Sequence, residues 1–228
     1  MRARIMRQLA RWHIWLGWLV GLPILMWTVT GLVMVARPIE EVRGEHLRAA
    51  AAPVAPGRLV LPRLTAPVEA VELVDQPAGP AWIVTEAAGG RYRYSALEGG
   101  VIAPVTRDEA RRIAERTFAG EAPLEAITYF PADAAPGDLR RPVASWQARF
   151  ADGTHLYIED ATGEVLALRT PFWRLFDFMW GLHIMDLETR EDTHHPVLVI
   201  FAGLSAIGAL LGCILLFRRR KARPSSMS

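Results

Sequence analysis

The sequence is poor in cysteine, and neither of its ends carries an acidic residue. Its single cysteine, Cys213, rules out a disulfide within the chain and leaves the redox compartment open. All 24 acidic residues lie between Arg37 and Pro196, where 17 arginines leave a net charge of −7. The basic ends restore the whole chain to +2. This distribution indicates flanking membrane anchors, and it argues against a nucleic-acid partner because no aromatic residues are interleaved with the basic ones.

The motifs of several enzyme classes are also missing. There is no G-x-G-x-x-G or P-loop segment for a nucleotide, and no Ser/His/Asp or Cys/His set that would indicate a hydrolase. Three carboxylates near one another in sequence (Asp152, Glu159 and Asp160) could suggest acid–base chemistry, but turn formation explains them more simply. The sequence leaves open whether the protein is an enzyme.

Two long uncharged runs predict membrane spans. Residues 14–36 and 197–217 lack charge, and at about 1.5 Å per residue each crosses a hydrocarbon core of about 30 Å. A signal peptide is the alternative for the first run. Its apolar region would usually be about 7 to 15 residues long and end at a small-x-small site, whereas this run is longer and ends in VMVARPIE. We therefore predict a cytoplasmic N-terminus and first transmembrane helix over 1–36, a second helix over 196–217 and a basic cytoplasmic tail over 218–228.

The region between the spans predicts a tether over residues 37–57 and a domain over residues 58–169. Thr106 and Glu109 have the spacing of a helix-capping box, and apolar residues recur behind them at helical intervals. Short alternating stretches separated by Gly, Pro and Asp turns predict strands. These strands are 70–74, 81–86, 91–95, 124–130, 143–150, 154–159 and 165–168. The predicted fold class is α+β, with a helix packed on antiparallel sheet between two transmembrane helices.

An aromatic helix and an acidic loop are predicted over residues 170–195. Thr170 suits the N-cap of this helix and Pro171 its first position. Its aromatic residues favour a helix lying in the membrane interface, with cofactor packing as the alternative. They are Phe172, Trp173, Phe176, Phe178 and Trp180.

Two kinds of internal pattern accompany these segments. Residues 92–102 and 156–166 both read as strand, Gly turn and strand, which makes two related half-units plausible. Each predicted span also contains a G-x-x-x-G pair that would let helix backbones approach closely, with chance spacing as the alternative. These pairs are Gly17 with Gly21 and Gly208 with Gly212.

Three stretches of the sequence resemble one protein family. The helix VTRDEARRIAERTF, the strand WQARF and the segment HLYIEDATGEVL resemble the PepSY domain. The first span, RWHIWLGWLVG, and the LHIMDLETRED…HP stretch before the second span are similar to the PepSY-associated transmembrane family. This resemblance implies a small α+β domain outside the bacterial inner membrane. Some larger relatives are haem-containing siderophore-iron reductases, others are fused to flavin reductase domains, and free-standing PepSY domains have been considered protease inhibitors or binding modules.

The histidines supply the candidate cofactor ligands. His13 lies at the predicted cytoplasmic edge of the first span, and His183, His194 and His195 lie at the outer edge of the second. Such imidazoles can ligate haem iron or simply reach toward water. His13 and His195 are about a bilayer apart and cannot share one iron. A two-fold homodimer would pair equivalent ligands for haem b inside a four-helix bundle.

Other interpretations of the histidines remain open at this point. A zinc or copper site could form from His183, His194 and His195 if the acidic loop folds back. His46 and His155 are predicted to be surface residues, since neither has a companion pattern.

The combined expectation is an inner-membrane PepSY protein with both termini cytoplasmic and its central domain periplasmic. Its expected role is as an accessory in transmembrane electron transfer, haem-based and linked to metal or siderophore-iron reduction. The lipid bilayer, a second copy or another membrane redox protein would be its partners. The alternative is a non-catalytic, membrane-tethered periplasmic binding or protease-inhibitory module.

Overall fold

The computed structural model describes residues 2–50, 52–54 and 57–221. The last part of the predicted basic tail, from residue 222 on, lies outside the described residues. The described chain divides into two compact units. One is Pro38–Arg174, and the other combines the chain up to Arg37 with the chain from Leu175 onward.

Two long apolar helices dominate the second of these units. Helix α1 covers Arg2–Met34 and continues through Pro23, while α5 covers Pro196–Lys221. Both are long and apolar enough to cross a membrane. Helix α1 begins well before the uncharged run predicted from the sequence, so the basic N-terminal segment is helical as well.

The two helices pack against each other in antiparallel directions. A Cβ atom on Gly208 would lie 3.9 Å from Cβ of Leu16, and one on Gly212 would lie 3.0 Å from Cε1 of His13. The second G-x-x-x-G pair is therefore at the α1–α5 contact, where its missing side chains let the helices approach. A Cβ on Gly17 or Gly21 would meet nothing within 4 Å.

The unit Pro38–Arg174 contains two four-stranded antiparallel sheets in simple meander order. The predicted α+β class with antiparallel sheet is confirmed. The first sheet consists of β1 (Val68–Gln76), β2 (Gly79–Glu86), β3 (Arg91–Ser95) and β4 (Val101–Ile102). The second consists of β5 (Leu124–Phe130), β6 (Ser145–Phe150), β7 (His155–Glu159) and β8 (Val165–Arg169).

Helix α3, Arg107–Thr117, lies between the two sheets in sequence and covers one face of the second sheet. Thr106 accepts a hydrogen bond from the Glu109 backbone N–H, as the capping prediction requires. The apolar side of α3 meets the sheet in a single buried core. Its main members are Ala110, Ile113, Ala114, Phe118, Ala148, Phe150, Leu156, Ile158 and Leu168.

The start of the predicted tether is folded. Helix α2 covers Ile39–Val42, and a short 3-10 helix covers Glu45–Leu47. Val42 is buried, and the Ala49 backbone N–H donates to the Thr117 carbonyl. This stretch therefore packs on the domain through an apolar side chain and backbone hydrogen bonds. The Ala, Pro and Gly residues over 49–57, from which the tether was predicted, did not indicate this packing.

The two sheets are a structural repeat, in which β6–β8 follow β2–β4 with an offset of 64 residues. The Ala96 N–H donates to the Pro80 carbonyl, as Asp160 does to Ala144, both at 3.0 Å. The indole of Trp82 donates to the Val60 carbonyl, and its counterpart Trp146 donates to Val105. Gly99 and Gly163 occupy equivalent turns with φ near +75°, a conformation that favours glycine. The internal echo in the sequence is confirmed as two related half-units.

Helix α4, Pro171–His183, follows the second sheet. The Thr170 hydroxyl oxygen accepts from the Trp173 backbone N–H at 3.0 Å, so the predicted N-cap is present. The division between the two compact units falls within this helix.

Candidate functional site

His13 is held at the contact between the two long helices. Its Nδ1 lies 3.0 Å from the carbonyl oxygen of Gly208. Because a carbonyl can only accept, a neutral His13 carries its proton on Nδ1 and keeps a lone pair on Nε2. Gly212 leaves the room that the ring needs, since a Cβ there would crowd Cε1 at 3.0 Å. The helix pair thus selects the tautomer that can bind a metal through Nε2.

His183, the last residue of α4, meets α1 near the other end of that helix. Its Nδ1 lies 2.9 Å from the hydroxyl of Thr30, a buried residue. The Thr30 hydroxyl has one proton and lies 2.8 Å from the Met26 carbonyl. If that proton goes to Met26, the Thr30 oxygen accepts from Nδ1–H and Nε2 of His183 is again open. The Trp27 indole donates to the His183 carbonyl at 2.8 Å and holds the end of α4.

The two histidines lie at opposite ends of the helix pair. Seventeen residues separate His13 from Thr30 along α1, which corresponds to about 25 Å at the helical rise. This is close to the thickness of a hydrocarbon core, about 30 Å. Neither imidazole can reach the other, so any cofactor at one end is separate from any cofactor at the other.

The remaining membrane-edge histidines precede α5. By the antiparallel register, the start of α5 is level with about residue 29 of α1, so His195 lies in the same layer as His183. Nδ1 of His195 is buried and has no hydrogen-bond partner among the described residues. His194 is exposed. No group of three or more His, Cys, Asp or Glu side chains suited to a metal occurs in the described part of the chain.

The comparisons with known proteins identify the family. The profile of one family, described as the PepSY-associated TM region, matches residues 10–227. The chain belongs to this family. No curated protein and no solved structure matches the chain significantly. The match covers both spanning helices and both sheets, so the chain is a PepSY-type membrane protein in contact with the lipid bilayer.

The D-x-T-G-E motif of this PepSY-associated protein, residues 160–164, has a structural role. The Thr162 carbonyl accepts from the Gln76 amide at 2.6 Å, and Glu159 and Glu164 both pair with Arg91 of the first sheet. A Cβ on Gly163 would lie 3.0 Å from the same Gln76 amide nitrogen. The turn therefore joins the two sheets, and it leaves no room for a larger residue at its glycine.

A buried ion pair completes this junction. The Arg93 side chain is 1% exposed and donates to both carboxylate oxygens of Glu109, at 2.6 and 2.8 Å. It also donates twice to the Ala103 carbonyl. The sequence predicted that the Glu109 side chain completes a capping box, but its carboxylate instead neutralises an arginine that the first sheet buries.

His155 belongs to a polar network that sequence reasoning missed. We expected a surface histidine, but its side chain is only 21% exposed and its Nδ1 lies 3.1 Å from Asp138 Oδ2. Tyr157, fully buried, donates to Asp138 Oδ1 and accepts from the Gln147 amide. The Arg174 guanidinium lies 3.8 Å from Asp138 Oδ2. Nothing in the sequence indicated this pairing, because Asp138 lies in a loop 17 residues before His155.

The network shifts the pKa values of Asp138 and Tyr157 in opposite directions. Burial opposes ionisation of Asp138, but hydrogen bonds from His155 and Tyr157 and the charge of Arg174 outweigh it and lower the pKa of Asp138. Burial and the hydrogen bond to Asp138 raise the pKa of Tyr157 well above its ordinary range. The groups satisfy one another, so we interpret the network as a clamp that holds the Asp138 loop on the second sheet.

The acidic loop after α4 is ordered around one carboxylate. The hydroxyl of Thr189 donates to Asp186, and so do the backbone N–H groups of Glu188, Thr189, Glu191 and Asp192. These donors hold the pKa of Asp186 well below its ordinary value. Arg190 pairs with Asp177 of α4, and the Trp180 indole donates to the Arg190 carbonyl. The loop that precedes His194 and His195 is therefore fixed to the end of α4.

Proposed function

We propose that this PepSY-associated membrane protein is an accessory in transmembrane electron transfer. It would hold haem b near each membrane face and take part in metal or siderophore-iron reduction. The proposal rests on the hydrogen bonds that Nδ1 of His13 and Nδ1 of His183 make to neighbouring helices. Nδ1 of His13 donates to the Gly208 carbonyl and leaves Nε2 open. His183 does the same when the Thr30 hydroxyl gives its own proton to the Met26 carbonyl. Metal-bound histidines characteristically donate their second ring N–H in this way.

An apolar surface lies beside His13 on α1, although His13 itself does not line it. An open groove of about 560 Å³ runs along the same part of α1, lined by Trp12, Trp15, Leu16 and Leu19. A bound haem would supply reversible one-electron chemistry. The residues of this chain would supply an apolar wall, a fixed tautomer and an oriented ring.

A second copy is part of the proposal, because one chain offers a single histidine at the inner level. A two-fold axis brings the same residue from both copies together. Gly17 and Gly21 support this arrangement, since their faces of α1 are open in the single chain and could admit another helix closely. Another membrane redox protein could supply the second ligand in place of the copy.

The proposed orientation places both termini in the cytoplasm of a bacterial cell and Pro38–Arg174 in the periplasm. It is supported by basic residues beyond the outer ends of both spans and by the acidic balance of the region between them.

A visible absorption spectrum of the pure full chain from haem-replete cells tests the cofactor. We expect a b-type spectrum and a dimer. His13→Ala should remove one haem and leave the other, while His183→Ala and His195→Ala should identify the outer ligand. His46→Ala, at an exposed residue of the 3-10 helix, serves as the control and should leave the spectrum unchanged. A colourless protein, or a spectrum indifferent to all three ligand variants, would contradict the proposal.

A second variant distinguishes a ligand role for His183 from a merely packed ring. Thr30→Val removes the acceptor of Nδ1–H and should shift the midpoint potential or low-spin spectrum of the outer haem only. Thr28→Val is the matched control, because the Thr28 hydroxyl bonds to the Ile24 carbonyl and is exposed. Equal effects of the two valines would argue against ligation through His183.

The alternative function is a non-catalytic binding or protease-inhibitory module tethered to the membrane. One observation favours it: the first sheet leaves apolar side chains exposed, including Tyr92 and Val101. A colourless but folded protein would leave this function standing.

A further inference from the structure

The first sheet is a PepSY half-unit without its helix. Val60 and Val105 are equivalent in the repeat, since each accepts from the corresponding tryptophan indole. Pro67 and Pro123 are equivalent too, because their carbonyls accept from Ala87 and Ala151, which are 64 residues apart. Between these markers the first half has six residues and the second has seventeen. The difference equals the 11 residues of α3.

The missing helix leaves one specific face of the first sheet incompletely covered. In the second sheet α3 covers the face of Ala148, Leu156 and Ile158. The offset of 64 maps these positions onto Val84, Tyr92 and Tyr94. Cross-strand pairing places Val71 beside Val84 and Val101 beside Tyr94, so these residues share the face. We call Val71, Val84, Tyr92, Tyr94 and Val101 the open face.

The open face is buried at its centre and exposed around it. Val84 is 1% exposed, whereas Val71 is 37%, Tyr92 44% and Val101 70% exposed. The other side of the same sheet is already occupied, since Arg93 there pairs with Glu109 of α3. No helix among the described residues covers the open face, although Trp82, which is paired with Tyr94 on it, donates to the Val60 carbonyl.

We propose that an amphipathic helix of a partner protein docks on the open face, as α3 docks on the second sheet. The repeat specifies the shape of the occupant, because the equivalent sheet face is covered by one helix with apolar residues three and four apart. The comparison of the two half-units also predicts one charged residue on the docking helix. Phe150, which stacks with Phe118 just beyond α3, is replaced in the first half by Glu86. The docking helix should therefore carry a basic residue near its C-terminal end.

Site-specific photo-crosslinking in the membrane-embedded full chain tests this surface. Benzoylphenylalanine replaces Tyr92 in one variant and Tyr129 in a control. Tyr129 is equally exposed at 44%, but it lies on the sheet that already has its helix. We expect a crosslink from position 92 that mass spectrometry maps to an amphipathic helical segment of one partner, and none to that segment from position 129.

A binding measurement with the mapped segment completes the test. The synthetic segment should bind the purified full chain, and Val101→Glu should weaken binding at least tenfold while Tyr129→Glu does not. Crosslinks from position 92 only to lipid or to a second copy, no crosslink, or binding indifferent to Val101→Glu would each overturn the proposal. The surface does not depend on haem, so the visible spectrum should be the same in all of these variants.

Discussion

Replacing Arg93 by methionine tests how much the buried ion pair between Arg93 and Glu109 stabilises the domain. The substitution keeps an unbranched apolar stem, shorter than that of arginine, and removes the charge. It leaves the carboxylate of Glu109, a residue only 8% exposed, without its cation. It also removes both donors to the Ala103 carbonyl. The variant therefore creates an uncompensated buried charge.

The expected loss follows from this burial. Removing one partner of a buried ion pair costs about 3–5 kcal/mol, whereas replacing both partners with apolar residues is often neutral. Arg93→Met should lower the free energy of unfolding by that amount. Adding Glu109→Met should recover at least about 2 kcal/mol, since no charge remains buried. For a urea dependence of about 2 kcal/mol per molar, the single variant's midpoint falls by about 2 M.

Urea unfolding of residues 38–174, followed by tryptophan fluorescence, measures this loss. Arg111→Met is the control on the same helix, because Arg111 and Glu115 form an exposed pair with N and O atoms 3.9 Å apart. Its loss should be below about 0.5 kcal/mol. A loss below about 1 kcal/mol for Arg93→Met, or a double variant no more stable than the single one, would refute the reasoning.

Three further predictions concern a turn glycine, pH and topology. Gly163→Ala should lower the free energy of unfolding by about 1–2 kcal/mol because its φ is +75°, whereas Gly137→Ala, with no atom near its Cβ position, should be nearly neutral; equal losses would contradict this. Stability should fall as pH drops below about 4, since the unfolded chain protonates before Asp138, whose pKa the fold lowers. It should also fall above about pH 10, since the unfolded chain ionises while the raised pKa of Tyr157 keeps the folded phenol neutral. In urea midpoints measured against pH, the fall at low pH should be smaller in Asp138→Asn and the fall at high pH smaller in Tyr157→Phe, and unchanged pH profiles would count against the network. Alkaline phosphatase fused after Gly137 should be active, and activity only from fusions at the C-terminus would reverse the proposed orientation.

Local patterns in the sequence were sufficient for most elements. The strand Arg91–Ser95 and the Thr106 cap of α3 are where the alternation and capping signals place them. The long uncharged runs predicted both apolar helices, because a chain in a bilayer must hydrogen-bond its own backbone N–H and C=O groups and a helix does so within one segment. The repeat was visible in two strand–turn–strand segments, since each turn needs glycine at the same place.

What the sequence could not determine were the partners that lie far apart along the chain. The pairing of Arg93 with Glu109, of Asp138 with His155 and of Thr30 with His183 depends on how the sheets and helices pack. Histidine placement suggested candidate ligands, but periodicity carries no information on tautomers. Only the tertiary structure showed that Nδ1 of His13 faces a carbonyl of the second long helix. That contact exists because Gly208 and Gly212 let two backbones approach, a consequence of packing between segments about 195 residues apart in sequence.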